Sequence, residues 1–126
     1  MKQKCSNHSD SVLIFSCSGA SDAGELADRA ARRMSRSGLG KMFCLAAIGG
    51  NVQQYIDDTQ AAKDIIIIDG CSNECAKKTL SRITVRSTAY NLETIGFQKG
   101  ESPATSININ KVVSHVQTTI ENINQG

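Results

Sequence analysis

Residues 64–69 read D-I-I-I-I-D, and four successive isoleucines leave a chain few options. The run is too short to cross a bilayer, which takes about 20 apolar residues. It is too β-branched to favour a helix, because branching at Cβ costs χ1 freedom against the preceding turn. A strand buried on both faces, as parallel strands are, accommodates it. The chain then changes character at once, running Gly70, Cys71, Ser72, Asn73, Glu74, Cys75. Asp69-Gly70 reads as a turn, and Ser72 or Asn73 as the cap of a helix through Leu80. Two thiols thus stand at the carboxyl end of a strand and the start of a helix. In an open α/β sheet that edge is where ligands bind, and the free N–H groups of a helix start favour thiolate over thiol.

Similar units flank this one. Residues 11–16, S-V-L-I-F-S, form a second apolar run, ending at Cys17 and a Ser-Gly-Ala-Ser loop. From Asp22 onward Ala23, Leu26, Ala27, Ala30 and Met34 recur at helical spacing, with Asp22 and Glu25 as a capping box and Gly38 just past the end. Residues 41–48, K-M-F-C-L-A-A-I, read as a strand that carries Cys44 and stops at Gly49-Gly50. Asn51 then caps a short helix with Val52, Tyr55, Ile56 and Thr59 on one face. After the isoleucine strand and its helix, residues 89–92 supply a fourth strand, and residues 96–105, with Pro103, a loop. Ile109, Val112, Val113, Val116, Ile120 and Ile123 trace the stripe of a last helix, capped by Ser106 or Asn108.

This alternation predicts an α/β fold: a single small three-layer domain over residues 1–126, with a mostly parallel four-stranded sheet, Rossmann-like, and residues 1–10 as an N-terminal tail. Right-handed crossovers place every strand's carboxyl end on one edge. Cys17, Cys71 and Cys75 then approach one crevice, and Cys44 joins them unless it is simply packed inside its strand.

The chain carries five cysteines and a formal charge of +2. Basic residues are scattered except for Arg29, Arg32, Arg33 and Arg36, whose spacing fits a solvated helix face rather than a nucleic-acid groove. No nucleic-acid partner is expected. Residues 1–10 hold no apolar run, so neither a signal peptide nor a membrane span is expected, and the reading is cytoplasmic. In that reducing compartment an odd number of cysteines favours metal binding or a reactive thiol over a disulfide framework.

Four thiols suit Zn2+, which favours tetrahedral sulfur donors. An iron-sulfur cluster takes the same ligands. The third option is a cysteine-based redox or sulfur-transfer enzyme, with Cys17 or Cys71 as nucleophile and Cys75 as resolving partner. The thioredoxin C-x2-C is absent, and the cysteine phosphatase loop would need arginine where Ala23 stands. The glycine-rich phosphate-binding motifs are missing too. Cys5 and His8 form a C-x2-H pair in the tail, and His115 falls on the polar side of the last helix. Asp69 is placed to bond backbone N–H groups of its loop. Lys77, Lys78 and Lys99 could offset thiolate charge or simply be solvated.

Cys17-x-Gly19, the stretch Met42-Phe43-Cys44-Leu45-Ala46-Ala47-Ile48, then Ile68-Asp69-Gly70-Cys71-x3-Cys75-Ala76 and finally Lys99 form an ordered set. Over residues 12–99 it resembles the DGC domain family, named for its central Asp-Gly-Cys. The resemblance implies a metal, zinc, chelated by Cys17, Cys44, Cys71 and Cys75, with Cys5 outside the pattern and no reaction assigned. This chain departs from the family at residues 82–88, R-I-T-V-R-S-T, which are more polar than the usual aliphatic strand. A closed four-sulfur site implies a structural, storage or sensing role; a site with three ligands would leave room for a polarised water.

Overall fold

A computed structural model describes residues 11–125. In chain order the elements are β1 (Val12–Ser16), α1 (Asp22–Arg36), β2 (Lys41–Met42), α2 (Leu45–Gly49), α3 (Gln53–Ala61), β3 (Asp64–Asp69), α4 (Cys75–Leu80), β4 (Ser87–Asn91), a 3-10 turn (Leu92–Ile95) and α5 (Ser106–Gln125). The four strands form one sheet in the order β2-β1-β3-β4. Every pairing is parallel, with Ile14 beside Ile66 and Ile68 beside Tyr90. The expected α/β architecture is present, with an all-parallel sheet.

The isoleucines divide between two cores, because successive side chains of a strand point to opposite faces. Ile66 and Ile68, with Val12 and Ile14, pack under α1 and α5 against Leu26, Met34, Val112 and Val116. Ile65 and Ile67, with Leu13 and Phe15, pack against Ile48, Ala76 and Leu80 on the other face. The alanine stripe of α1, Ala23, Ala27, Ala30 and Ala31, is fully buried.

Residues 41–48 do not form one strand. Pairing stops at Met42, and Leu45–Gly49 is helical. A short apolar run satisfies a buried helix as well as a buried strand, and here Ala47 and Ile48 turn inward together. Cys44 therefore sits exposed at the cap position of α2, not packed inside a strand.

The caps also differ from expectation. Asn51 does not cap α3, which begins after Val52. Asn51 instead takes a left-handed conformation, φ 60°, and its side chain accepts a bond from Arg82. Thr105, one residue ahead of Ser106, accepts from the Asn108 N–H at 3.2 Å at the start of α5. The fourth strand ends at Asn91, and Leu92 opens the 3-10 turn and is buried. Among the described residues no helix is long and apolar enough to cross a membrane.

Candidate thiol site at the carboxyl edge of the sheet

The strand order sets the site. From β1 the chain crosses to β2 on one side, and from β3 to β4 on the other, so β1 and β3 are neighbours at the point where the winding reverses. That switch point opens a crevice beyond the strand ends. β1 leads into Cys17 and β3 into Gly70 and Cys71.

Contacts join the two ends directly. The Cys17 N–H continues the ladder to the Ile68 carbonyl at 3.1 Å. The Gly70 N–H donates to the Cys17 Sγ at 3.3 Å. This contact holds the Cys17 side chain against the end of β3.

Gly70 is needed for close approach. A Cβ there would lie 2.7 Å from the Ala23 carbonyl, where the first turn of α1 presses on the strand end. The turn does not fall at Asp69-Gly70: Asp69 still pairs as strand, and the turn spans Cys71 to Glu74, closed by the Glu74 N–H donating to the Cys71 carbonyl at 3.1 Å. Cys71 therefore precedes α4, and Cys71 and Cys75 do not share a helix face.

Asp69 organises this segment. It is 2% exposed, and its carboxylate accepts from the Ala76 N–H at 2.8 Å and the Lys77 N–H at 3.0 Å. It thus caps the helix start from seven residues upstream, in place of Ser72 or Asn73, with Glu74 left-handed at φ 52° between them. Burial pushes the Asp69 carboxyl above its ordinary range, and the two N–H bonds oppose that shift. From the end of β4, Asn91 donates to the Cys71 carbonyl at 3.1 Å and to Glu74 at 3.2 Å. Glu93 accepts from the Ser72 N–H at 3.0 Å. Asn91 and Glu93 carry no sequence signal of this role, since strand pairing brings them here.

A cleft of about 730 Å³ opens beside Cys17 and is lined also by Cys44, Phe43, Asp28, Arg32 and Thr79. Cys71 and Cys75 are not among its walls. Ser18, left-handed at φ 52°, bonds Ser16 at 2.6 Å and donates to Asp28 at 2.7 Å, and Arg32 donates to Asp28 at 2.7 Å. Burial acts to raise the Asp28 pKa, but the bonds from Arg32 and Ser18 outweigh it and hold the carboxyl below its ordinary value. The i, i+4 spacing of Asp28 and Arg32 is visible in the sequence; their bond to the cysteine loop is not.

All four of these cysteines are free thiols, Cys17 and Cys71 half-buried, Cys44 and Cys75 exposed. Among the described residues no three His, Cys, Asp or Glu side chains are gathered closely enough to hold a metal ion. Lys77, Lys78 and Lys99 are exposed. His115 is exposed and packs edge-on against Tyr90, ring centres 5.6 Å apart. Cys5, His8 and the rest of the expected tail lie outside the described residues.

The family model of the DGC domain matches residues 13–116. Over 78 residues the chain is 35% identical to the anaerobic and virulence modulator AnvM of Pseudomonas aeruginosa, a stretch covering 62% of this chain and 60% of that protein. No solved structure matches the chain.

Proposed function

This chain belongs to the DGC domain family, and from that premise we propose that it binds one zinc ion through the thiolates of Cys17, Cys44, Cys71 and Cys75. The observation that carries the reading is the Gly70 N–H bond to the Cys17 sulfur, which ties the two thiol-bearing strand ends together at the switch point. The donor chemistry fits: four free thiols, zinc's common partners, on segments beyond the strands. With no three of them already gathered, binding requires the exposed Cys44 and Cys75 to close on the ion. Bound zinc would cross-link these segments, and would act as a Lewis acid only with a coordination position left open. The chain's own part is to brace the donors: Asp69, Asn91 and Glu93 hold the 71–75 segment, and the Gly70 N–H positions the Cys17 sulfur. A relative that bears the name of an anaerobic modulator accords with a sensing role.

The test is elemental analysis of protein purified without chelators, with free thiols counted before and after metal removal. About one zinc per chain with four masked thiols is expected, with the metal lost in Cys71→Ser and kept in Cys5→Ser. Protein that stays metal-free with every thiol reactive after zinc is added would sink the reading. Iron with a visible sulfur-to-iron absorption band would instead assign an iron-sulfur cluster.

A second reading has one observation in its favour: among the described cysteines, Cys17 and Cys44 alone line the 730 Å³ cleft. A thiol enzyme of redox or sulfur-transfer type would show metal-free protein with a single fast-reacting thiol, mapped by mass spectrometry to Cys17 or Cys71.

A further inference from the structure

The arginines of α1 were expected to form a solvated face, and Arg29, Arg32 and Arg36 are indeed exposed. Yet Arg29, Arg32, Arg33 and Arg36 also wall a second cleft of about 560 Å³, completed by Asp28, Ser37 and Ile109 of α5. Two of the four guanidiniums are neutralised along the helix: Arg29 by Glu25 at 3.3 Å and Arg32 by Asp28 at 2.7 Å. The other two are not. Arg33 is half-buried and donates to the neutral side chain of Asn110, and Arg36 meets no carboxylate among the described residues.

From this the geometry points to a binding site, in the cleft between α1 and α5, for a small organic phosphate carrying at least two negative charges. Arg33 and Arg36, three residues apart, lie on the same side of the helix. A guanidinium is a planar fork that grips phosphate oxygens two at a time, and its charge persists at every physiological pH. The volume is that of a small-molecule site. Ile109, only 5% exposed, offers an apolar floor for the organic part, and Asn110 holds the Arg33 fork in place. Asp28 and Arg32 line both this cleft and the one beside Cys17. A ligand seated here would therefore touch the pair that braces the Cys17 loop. The site needs no metal, so it stands or falls apart from the zinc reading.

Inorganic pyrophosphate is the probe, titrated calorimetrically into the full chain at low ionic strength after passage over a chelating resin. Saturable binding at one site per chain is expected, weakened tenfold or more in the double variant Arg33→Gln/Arg36→Gln. Arg86→Gln, which removes a charge from a side chain 82% exposed elsewhere on the surface, is expected to leave the affinity unchanged. Arg36 and Arg86 are exposed and Arg33 is half-buried, so circular dichroism and a thermal melt verify that each variant keeps the fold. Absence of saturable binding overturns the assignment. So does equal weakening by Arg86→Gln, which would reduce the effect to net charge.

Discussion

Gly70 and Ala23 meet backbone to backbone: a side chain on Gly70 would stand 2.7 Å from the carbonyl of Ala23. Gly24, next along α1, is equally confined, since a Cβ there would lie 2.6 Å from the Gly19 backbone. The start of α1 is thereby wedged between the Cys17 loop and the end of β3. Gly70→Ala is expected to force these backbones apart and to cost on the order of 1–3 kcal/mol, as overpacking does. Urea unfolding measures it; an unchanged midpoint would show that α1 can retreat without penalty.

Asp69→Ala removes the acceptor for two N–H groups at the start of α4. A lost helix cap costs about 0.5–2 kcal/mol, and N–H groups left unbonded in a buried site set the cost towards the upper end. Asp69→Asn, which keeps one carbonyl oxygen, is expected to lose less. The Cys75 thiol should also alkylate faster in Asp69→Ala as the first turn of α4 frays. A destabilised protein with an unchanged Cys75 rate would mean the helix start is held by other contacts.

Asp22 ties α1 to the 100–102 loop, accepting from the Gly100 and Ser102 N–H groups at 2.8 Å each. The Ser102 and Gly100 bonds hold its carboxyl below the ordinary value of 3.8. A lowered native pKa means the carboxylate contributes stability above the unfolded value and loses it as pH falls through the folded one. The stability gap between wild type and Asp22→Asn is therefore expected to be constant near neutral pH and to shrink below about pH 4. Denaturation midpoints collected across the acid range check this, and a gap independent of pH would be the contrary result.

Thiol accessibility sets an order of modification in metal-free protein. Cys44 and Cys75 are exposed, whereas Cys17 and Cys71 are half-buried, and the Cys17 sulfur accepts the Gly70 N–H. Pulse alkylation mapped by mass spectrometry is expected to label Cys44 and Cys75 first. Added zinc is expected to slow all four while leaving Cys5 unaffected. Labelling of Cys17 ahead of Cys44 would favour the thiol-enzyme reading.

Arg82 joins the ends of two helices, donating to the Ile48 and Gly49 carbonyls at 3.4 and 3.3 Å and to Asn51 at 2.5 Å. It thereby fastens α2, the helix that Cys44 begins, to the end of α4. Arg82→Ala is expected to cost about 1 kcal/mol or less, as exposed hydrogen bonds do. Cys44 alkylation should quicken while Cys71 is unchanged, which the same mapping would show.

Much of this molecule is readable along the chain because the relevant physics is local. Four β-branched residues in a row favour a strand, and apolar positions three and four apart make a helix amphipathic. Those rules placed β1, β3, α1 and α5, and the parallel sheet follows from their alternation. The same rules misplaced residues 41–48, where a short apolar run suits a strand and a buried helix equally. Local reasoning also chose a neighbouring cap, Ser72 or Asn73, over the distant Asp69 that accepts the N–H groups of α4, and Asn51 over Val52, which occupies the cap position of α3 without a side-chain bond.

The sequence by itself determined which segments must be buried and which residues could act as thiolate donors, since hydrophobic spacing and side-chain chemistry are properties of neighbours. Only the tertiary structure decided what those donors stand beside. Strand order made β1 and β3 partners, which brought the Gly70 N–H to the Cys17 sulfur across 53 positions of chain. Packing of α1 against α5 likewise turned a row of arginines into the wall of a cleft. Such contacts depend on how distant segments fold over one another to bury both faces of one sheet, and no window of neighbouring residues encodes that.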